Sequence, residues 1–222
     1  MAREYDPWAQ GRAPGSTTDD DVRVDVGWTG VATAMHSILQ ISTPMFLRLG
    51  VAGYQPILID FRHHSFECDT SLALLPSEPS SVSFDSEPAW TFGPSLFPLP
   101  GRSLDQLLWS IGLLSFRDLP ASWLNDTDRY RLTRWPNFPQ LEFTAEQMTL
   151  TAVLASRALT AFELADAARS SLGEAQRVVN ALSLMGVLTE QPTSTFATSE
   201  RVSFAPPAPL GVVARLRDRF GW

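Results

Sequence analysis

The fold of this chain is decided by residues 143–188, which read FTAEQMTLTAVLASRALTAFELADAARSSLGEAQRVVNALSLMGVL. The segment contains three Ser/Thr-x-x-Glu/Gln spacings, which are Thr144 with Gln147, Thr160 with Glu163, and Ser171 with Glu174. In such a capping box, each side chain bonds to a backbone N–H group that the first turn of a helix leaves unpaired. Each spacing precedes apolar residues at helical intervals, so we predict three consecutive helices.

The apolar residues of this segment define one inward face on each helix. We expect these faces to contain Met148, Val153 and Leu154 in the first helix, Phe162, Leu164, Ala165 and Ala168 in the second, and Val178, Leu182 and Met185 in the third. Gly186 then ends the third helix in the left-handed conformation that favours glycine. A short strand begins at Val187, residues 191–199 are polar enough for a hairpin wing, and residues 202–204 supply the returning strand.

Short helices joined by tight turns and followed by a hairpin describe a helix-turn-helix with a wing. The runs LTAFELAD at 159–166 and ALSLMGVLT at 181–189 resemble the winged-helix tails of bacterial regulators, in particular those of pilus and gliding-motility systems. In these systems, related tails accompany Ras-like polarity GTPases and roadblock-type proteins. The resemblance covers residues 143–205 and implies a role in protein contact, with a small GTPase or a roadblock-type protein as partner.

The charge of the predicted winged helix argues against DNA binding. A recognition helix reads DNA with several Arg, Lys, Asn or Gln side chains, and the third helix offers Gln176, Arg177 and Asn180. Residues 143–205 nevertheless hold four Arg against six Asp or Glu, and the whole chain has a net charge of −7. We therefore predict a non-catalytic adaptor that contacts another protein, with Arg177 and Asn180 among its contact residues. A winged-helix DNA-binding transcription regulator is the alternative, and the same acidity disfavours anionic membranes.

Upstream of the winged helix, the pattern predicts an α+β domain over residues 22–125, preceded by a disordered arm over residues 1–21. Alternating or continuous apolar residues indicate strands at 22–26, 46–51 and 57–61, and helical spacing indicates helices at 30–40 and 103–116. Ser103 and Gln106 have the spacing of a capping box. The proline-rich window 76–101 excludes helix, discourages central strands and is typical of an apolar loop that wraps a domain.

Residues 126–142 are predicted to link the two domains, so that a fragment starting near Leu141 would fold alone. Within this linker, the alternation of residues 130–135 indicates a strand, and Arg129 and Arg131 would share one face of it. Together with Arg134 and Trp135 they would suit a phosphate, a signalling nucleotide or an acidic partner. A solvated strand edge is the simpler interpretation.

The sequence predicts no enzyme, cofactor or metal site. It has no Gly-x-Ser-x-Gly elbow and no phosphate-binding loop. Residues 63–69 contain two His, Glu67, Cys68 and Asp69, but neighbouring histidines on a strand would point to opposite faces, too few ligands for zinc. Because Cys68 is the only cysteine and the N-terminus lacks an apolar signal segment, we expect a cytoplasmic protein.

Residues 206–222 are predicted to form a proline-rich spacer and a short amphipathic helix. Leu216 and Phe220 fall on the apolar face of this helix, and Trp222 ends the chain. A helix this short is marginal alone in water, so it would have to dock. Its own N-terminal domain, a groove on a partner and a membrane surface are the three possible docking sites, the last disfavoured by the small apolar area.

Overall fold

A computed structural model describes residues 26–41, 43–91 and 95–191 of the chain, all of which belong to one unit, Met1–Pro192. In chain order, the elements are α1 (Gly27–Gln40), β1 (Met45–Val51), β2 (Ile57–Asp60), β3 (Ser65–Glu67), β4 (Val82–Pro88), β5 (Arg102–Ser103), α2 (Leu104–Leu114), β6 (Arg129–Leu132), α3 (Ala145–Ser156), α4 (Ala161–Ala168), α5 (Leu172–Leu184) and β7 (Leu188–Gln191). Short 3₁₀ turns lie at Leu72–Leu74, Ala89–Thr91 and Phe138–Gln140. The predicted α+β class is confirmed.

Strands β1 to β5 form an antiparallel sheet in the order β4-β1-β2-β3-β5. Leu47 pairs with Ile59 and Leu49 with Ile57, and all four side chains are buried under the helices. The predicted strands at 46–51 and 57–61 are therefore confirmed to within a residue. The window 76–101 contains β4, which sequence patterns did not indicate; β4 lies at one end of the described sheet, and its proline is its last residue.

The capping boxes differ in how completely they form. Thr144 with Gln147 and Thr160 with Glu163 make both reciprocal hydrogen bonds. Ser171 accepts from the Glu174 backbone, but the Glu174 carboxylate accepts from Gln147 Nε2 at 2.8 Å and so ties α5 to α3. The box predicted at Ser103 is absent, because the Gln106 side-chain oxygen accepts from Arg102 Nε instead.

A single hydrophobic core joins the two predicted domains. Helices α1 and α2 pack on the sheet, α5 packs on α2, and α3 and α4 pack on α5. The buried apolar side chains form one cluster, whose members range in sequence from Trp28 to Val187. The segment predicted as a linker contains β6, which pairs with β7, so no boundary separates two cores at residues 126–142.

Several predictions fall outside the described residues. These are the arm at 1–21, the strand at 22–26 apart from Val26, the wing and returning strand from residue 192 onward, and the C-terminal spacer and helix at 206–222 with Leu216, Phe220 and Trp222.

Candidate partner-binding surfaces

Strand β6 presents its charged side chains to solvent and its apolar side chains to the core. Tyr130 is 1% exposed and Leu132 is 8% exposed, whereas Arg129 and Arg131 are exposed. The β6–β7 register opposes Arg129 to Gln191 and Arg131 to Thr189, so these four residues share the outer face of the two-stranded sheet. The alternation predicted for residues 130–135 is confirmed as far as Leu132, where the strand ends, but residues 133–135 are all exposed.

Hydrogen bonds on both sides hold β6 in place. Its outer neighbour is β7, and on the other side Tyr130 forms an antiparallel bridge with Leu159, between α3 and α4. The Tyr130 hydroxyl donates to the Asn125 carbonyl and accepts from the Asn125 N–H. Burial, together with the charge of Glu190 and nearby aspartates, raises the pKa of Tyr130 to about 12 against the opposing effect of the Asn125 hydrogen bond. The strand is thus a fixed platform for its two arginines.

Arg129 is paired across the surface with Glu163 of α4. The other Glu163 oxygen accepts from the backbone of Thr160 as part of the helix cap. Both side chains of the pair are partly exposed, 46% for Arg129 and 35% for Glu163. An ion pair this open to water stabilises a protein by only about 0–1 kcal/mol, so it exchanges readily for another carboxylate.

Arg134 and Trp135 follow β6 directly in the chain, and both are exposed. Trp135 is 55% exposed and makes an edge-on contact with Phe138, which in turn contacts Phe143. Arg134 is exposed, and its charge acts on the carboxylate of Asp105. A hydrogen bond from His64 is the largest cause that lowers the pKa of Asp105; burial opposes it, and the charges of His64 and Arg134 add to it. We call Arg129, Arg131, Arg134 and Trp135 the basic–aromatic surface.

Helix α5 is turned inward, which corrects the expectation for Asn180. This side chain is 1% exposed; its oxygen accepts from Ala121 N at 3.0 Å and from Gln176 Nε2, and its nitrogen donates to the Leu119 carbonyl. Gln176 is 5% exposed. Asn180 thus binds the protein's own loop after α2, and Gln176 supports it by donating to the Asn180 side chain.

Arg177 remains partly exposed but is engaged by two carboxylates. Its guanidinium pairs with Asp118 at 3.2 Å and with Glu174 at 3.4 Å. Asp118 reaches this position because Gly173 has no side chain: a Cβ there would lie 2.7 Å from the Asp118 carboxylate. Arg177 thus holds the loop after α2 against the first turn of α5.

The reason for the burial of α5 is the close crossing of α2 over it. A Cβ added at Gly112 would lie 2.4 Å from the Cα of Ala181, so the two backbones touch where Gly and Ala face each other. Sequence reasoning assigned the apolar face of α5 correctly at Val178 and Leu182, but it missed this second covered face. The two small residues Gly112 and Ala181 are the sequence feature that permits this close crossing, but nothing in the local sequence pattern pairs them with each other.

Two apolar residues predicted to be buried are exposed instead. Phe162 is 71% exposed and Met148 is 42% exposed. The inward faces of their helices are formed by Leu164 and Ala165 in α4 and by Leu150 and Leu154 in α3. Met148 lies two and six residues from Leu150 and Leu154 and so falls off their helical face.

The histidine-containing segment serves the fold. His63 and His64 lie in the turn between β2 and β3, not on a strand, and bond to Asp60 and Asp105 at 2.8 Å. Burial alone would raise the pKa of Asp60, but hydrogen bonds from Arg62 and His63 outweigh it and the pKa is lowered. Cys68 is buried against the Thr70 carbonyl. Across the described ranges, no group of three metal-ligating side chains converges.

Among the described helices, none has the length and apolarity needed to cross a membrane. Comparison of the chain with protein-family models, with curated proteins and with solved structures gave no match.

Proposed function

We propose that this protein is a non-catalytic adaptor whose C-terminal helices form a winged helix specialised for protein contact. The order of elements supports the winged helix. Helix α3, the Leu159 bridge, α4, α5 and β7 follow one another, and Arg169, Ser170 and Ser171 form the short turn between α4 and α5. A turn of this length is typical of a helix-turn-helix, and Arg169 ends α4 in the left-handed conformation. The wing itself would begin where β7 ends.

The observation that carries the adaptor proposal is the inward orientation of α5. A helix that reads DNA must place several polar side chains in the major groove. Here, Gln176 and Asn180 are buried and Arg177 is neutralised by Asp118 and Glu174. Exposed arginines that are available for recognition lie on β6 and directly after it. The partner class implied by the sequence resemblance, a small GTPase or a roadblock-type protein, is part of this proposal.

Duplex DNA binding tests the proposal directly. We expect fluorescence anisotropy with labelled genomic fragments to show no binding tighter than the non-specific range of about 10⁻⁴–10⁻⁶ M at physiological salt. Nanomolar binding that weakens steeply with salt would overturn the adaptor proposal in favour of a transcription regulator. In parallel, affinity capture from the native cell followed by mass spectrometry is expected to recover a discrete protein partner.

A further inference from the structure

The basic–aromatic surface has a spacing that suits one kind of ligand. Arg129 and Arg131 are alternate residues on one face of a strand, about 7 Å apart along it. Alternate residues of an extended peptide repeat at the same interval. Residues 129–135 carry three arginines and no Asp or Glu. The acidic neighbours of β6 lie outside this segment: Glu163 pairs with Arg129, and Glu190, Asp128 and Asp126 act on Tyr130.

We propose that this surface binds an extended acidic peptide segment of the protein partner, with carboxylates at alternate positions facing Arg129 and Arg131. This inference rests on the adaptor function proposed above. Arginine binds carboxylates through paired N–H donors, which favours carboxylate recognition over a diffuse charge contact. The partner carboxylate nearest Arg129 replaces Glu163, and Glu163 keeps its bond to the Thr160 backbone, so the exchange leaves the cap of α4 intact.

Trp135 adds an apolar contact to the charged ones. Its ring is more than half exposed but is positioned by Phe138, and Phe138 by Phe143, so little side-chain entropy is lost when a ligand packs on it. Arg134 lies three residues from Arg131, within about 11 Å by the reach of the chain. Arg134 is thus close enough in the chain to offer its charge to a further carboxylate of a longer segment.

The surface is spread along an exposed strand and the residues after it, and this shape favours an extended peptide over a small anion as the ligand. A phosphate or nucleotide site gathers its donors in a concave pocket. Two grooves among the described residues lie elsewhere: one of about 290 Å³ is lined by Glu78, Arg117 and Arg177 among others, and one of about 280 Å³ lies beside Ile41 and Phe61. In the first groove, Asp118 also contributes a negative charge and the charges balance.

The test uses the full chain and two fluorescein-labelled peptides of equal composition. One peptide alternates Glu with Thr, and the other carries the same Glu residues in one block. We expect the alternating peptide to bind more tightly at low salt, and the double variant Arg131→Gln/Arg134→Gln to weaken its binding about ten-fold. Trp135→Ala is expected to weaken it as well.

Matched variants control for charge and for ring area. Arg157→Gln removes one exposed arginine at the end of α3, and Trp90→Ala removes a ring that is 74% exposed in the other half of the molecule. Neither is expected to change the affinity for the alternating peptide. Loss in these variants equal to that in the surface variants would overturn the proposed site.

Three other outcomes would also overturn it: equal affinity for both peptides, competition by inorganic phosphate at the concentration of the peptide, or tighter binding of a duplex DNA. The two proposals remain distinguishable in failure. If the double variant still captures the native partner as well as the unmodified protein does, the adaptor function stands and this surface is rejected. If the unmodified protein captures no partner and binds DNA, the adaptor function itself fails.

Discussion

Helix α5 and strand β6 carry comparable polar residues, yet the two elements sit in opposite environments. Helix α5 is covered by α3 and α4 on one side and by α2 on the other, and its Asn180 side chain is fully bonded inside the protein. Strand β6 buries only Tyr130 and Leu132 and leaves its arginines in water. The type of side chain alone therefore does not decide whether a polar residue faces solvent or stabilises the fold. The deciding factor is whether another element of the protein packs against the face that carries it.

The largest effect is expected at the crossing of α2 and α5. Gly112→Ala places a methyl group 2.4 Å from the Cα of Ala181, and a backbone atom cannot move aside as a flexible side chain would. We expect a loss of about 1–3 kcal/mol or more in the free energy of unfolding, measured with urea. Ser110→Ala, on the same helix, is the control and should cost much less. If the Gly112→Ala variant is as stable as the unmodified protein, α2 does not cover α5 as described.

A second substitution separates structural from exposed polar groups within α5. Asn180→Ala leaves the Leu119 carbonyl, the Ala121 N–H and the Gln176 amide without their partner, and buried unpaired groups cost about 1–3 kcal/mol. Arg177→Gln removes only partly exposed ion pairs, each worth about 0–1 kcal/mol. Urea denaturation should therefore rank the asparagine variant clearly below the arginine variant. The reverse ranking would contradict the inward orientation of Asn180.

The buried side of β6 gives a pH-dependent prediction. Because the pKa of Tyr130 is raised to about 12 in the folded protein, its contribution to stability is complete below the unfolded value of about 10 and is lost as pH rises toward 12. Between pH 9 and pH 11 this tyrosine should cost the protein about 1 kcal/mol. Tyr130→Phe should remove that loss, whereas Tyr54→Phe, which keeps Tyr130, should retain it. Parallel pH profiles for both variants would contradict the burial of Tyr130.

The smallest effect on stability is expected on the exposed side of β6. Arg131→Gln and Arg134→Gln change side chains in contact with water, so the free energy of unfolding should stay within about 0.5 kcal/mol of the unmodified protein. Urea denaturation of both variants measures this. A larger loss would show that these arginines serve the fold, and that the division between α5 and β6 is less sharp than described.

The parts of this fold that depend on near neighbours were predictable from the sequence. The caps at Thr144 and Thr160 join residues three apart, and the left-handed Gly186 is local to its own helix end. The alternation of β6 was equally legible, and with it the exposure of Arg129 and Arg131. These features need no knowledge of what lies elsewhere in the chain.

The features that sequence patterns missed all depend on distant residues. The cap at Ser103 is lost because Arg102 takes the Gln106 side chain. The burial of Asn180 requires a loop and a helix from the first half of the chain, and helical periodicity reports only that a face is apolar. An asparagine among apolar residues has the same pattern whether it faces solvent or a second packing partner. Of the candidate contact residues, those on β6 could therefore be predicted to be exposed from the sequence, whereas the burial of Asn180 on α5 could not.

The separation of the two faces of β6 has a consequence for how such a protein can diverge. Arg129 and Arg131 lie on the exposed face of β6, and Arg134 follows the strand, so substitutions there are expected to change the surface charge with little effect on the fold. Under the adaptor function proposed above, new partners can be acquired through substitutions at these positions. Helix α5 has less freedom at its buried positions. A larger residue at Ala181 would collide with α2, and a substitution at Asn180 would remove the hydrogen bonds that hold the loop after α2. The exposed positions of β6 are therefore expected to vary more freely in evolution than the buried positions of α5.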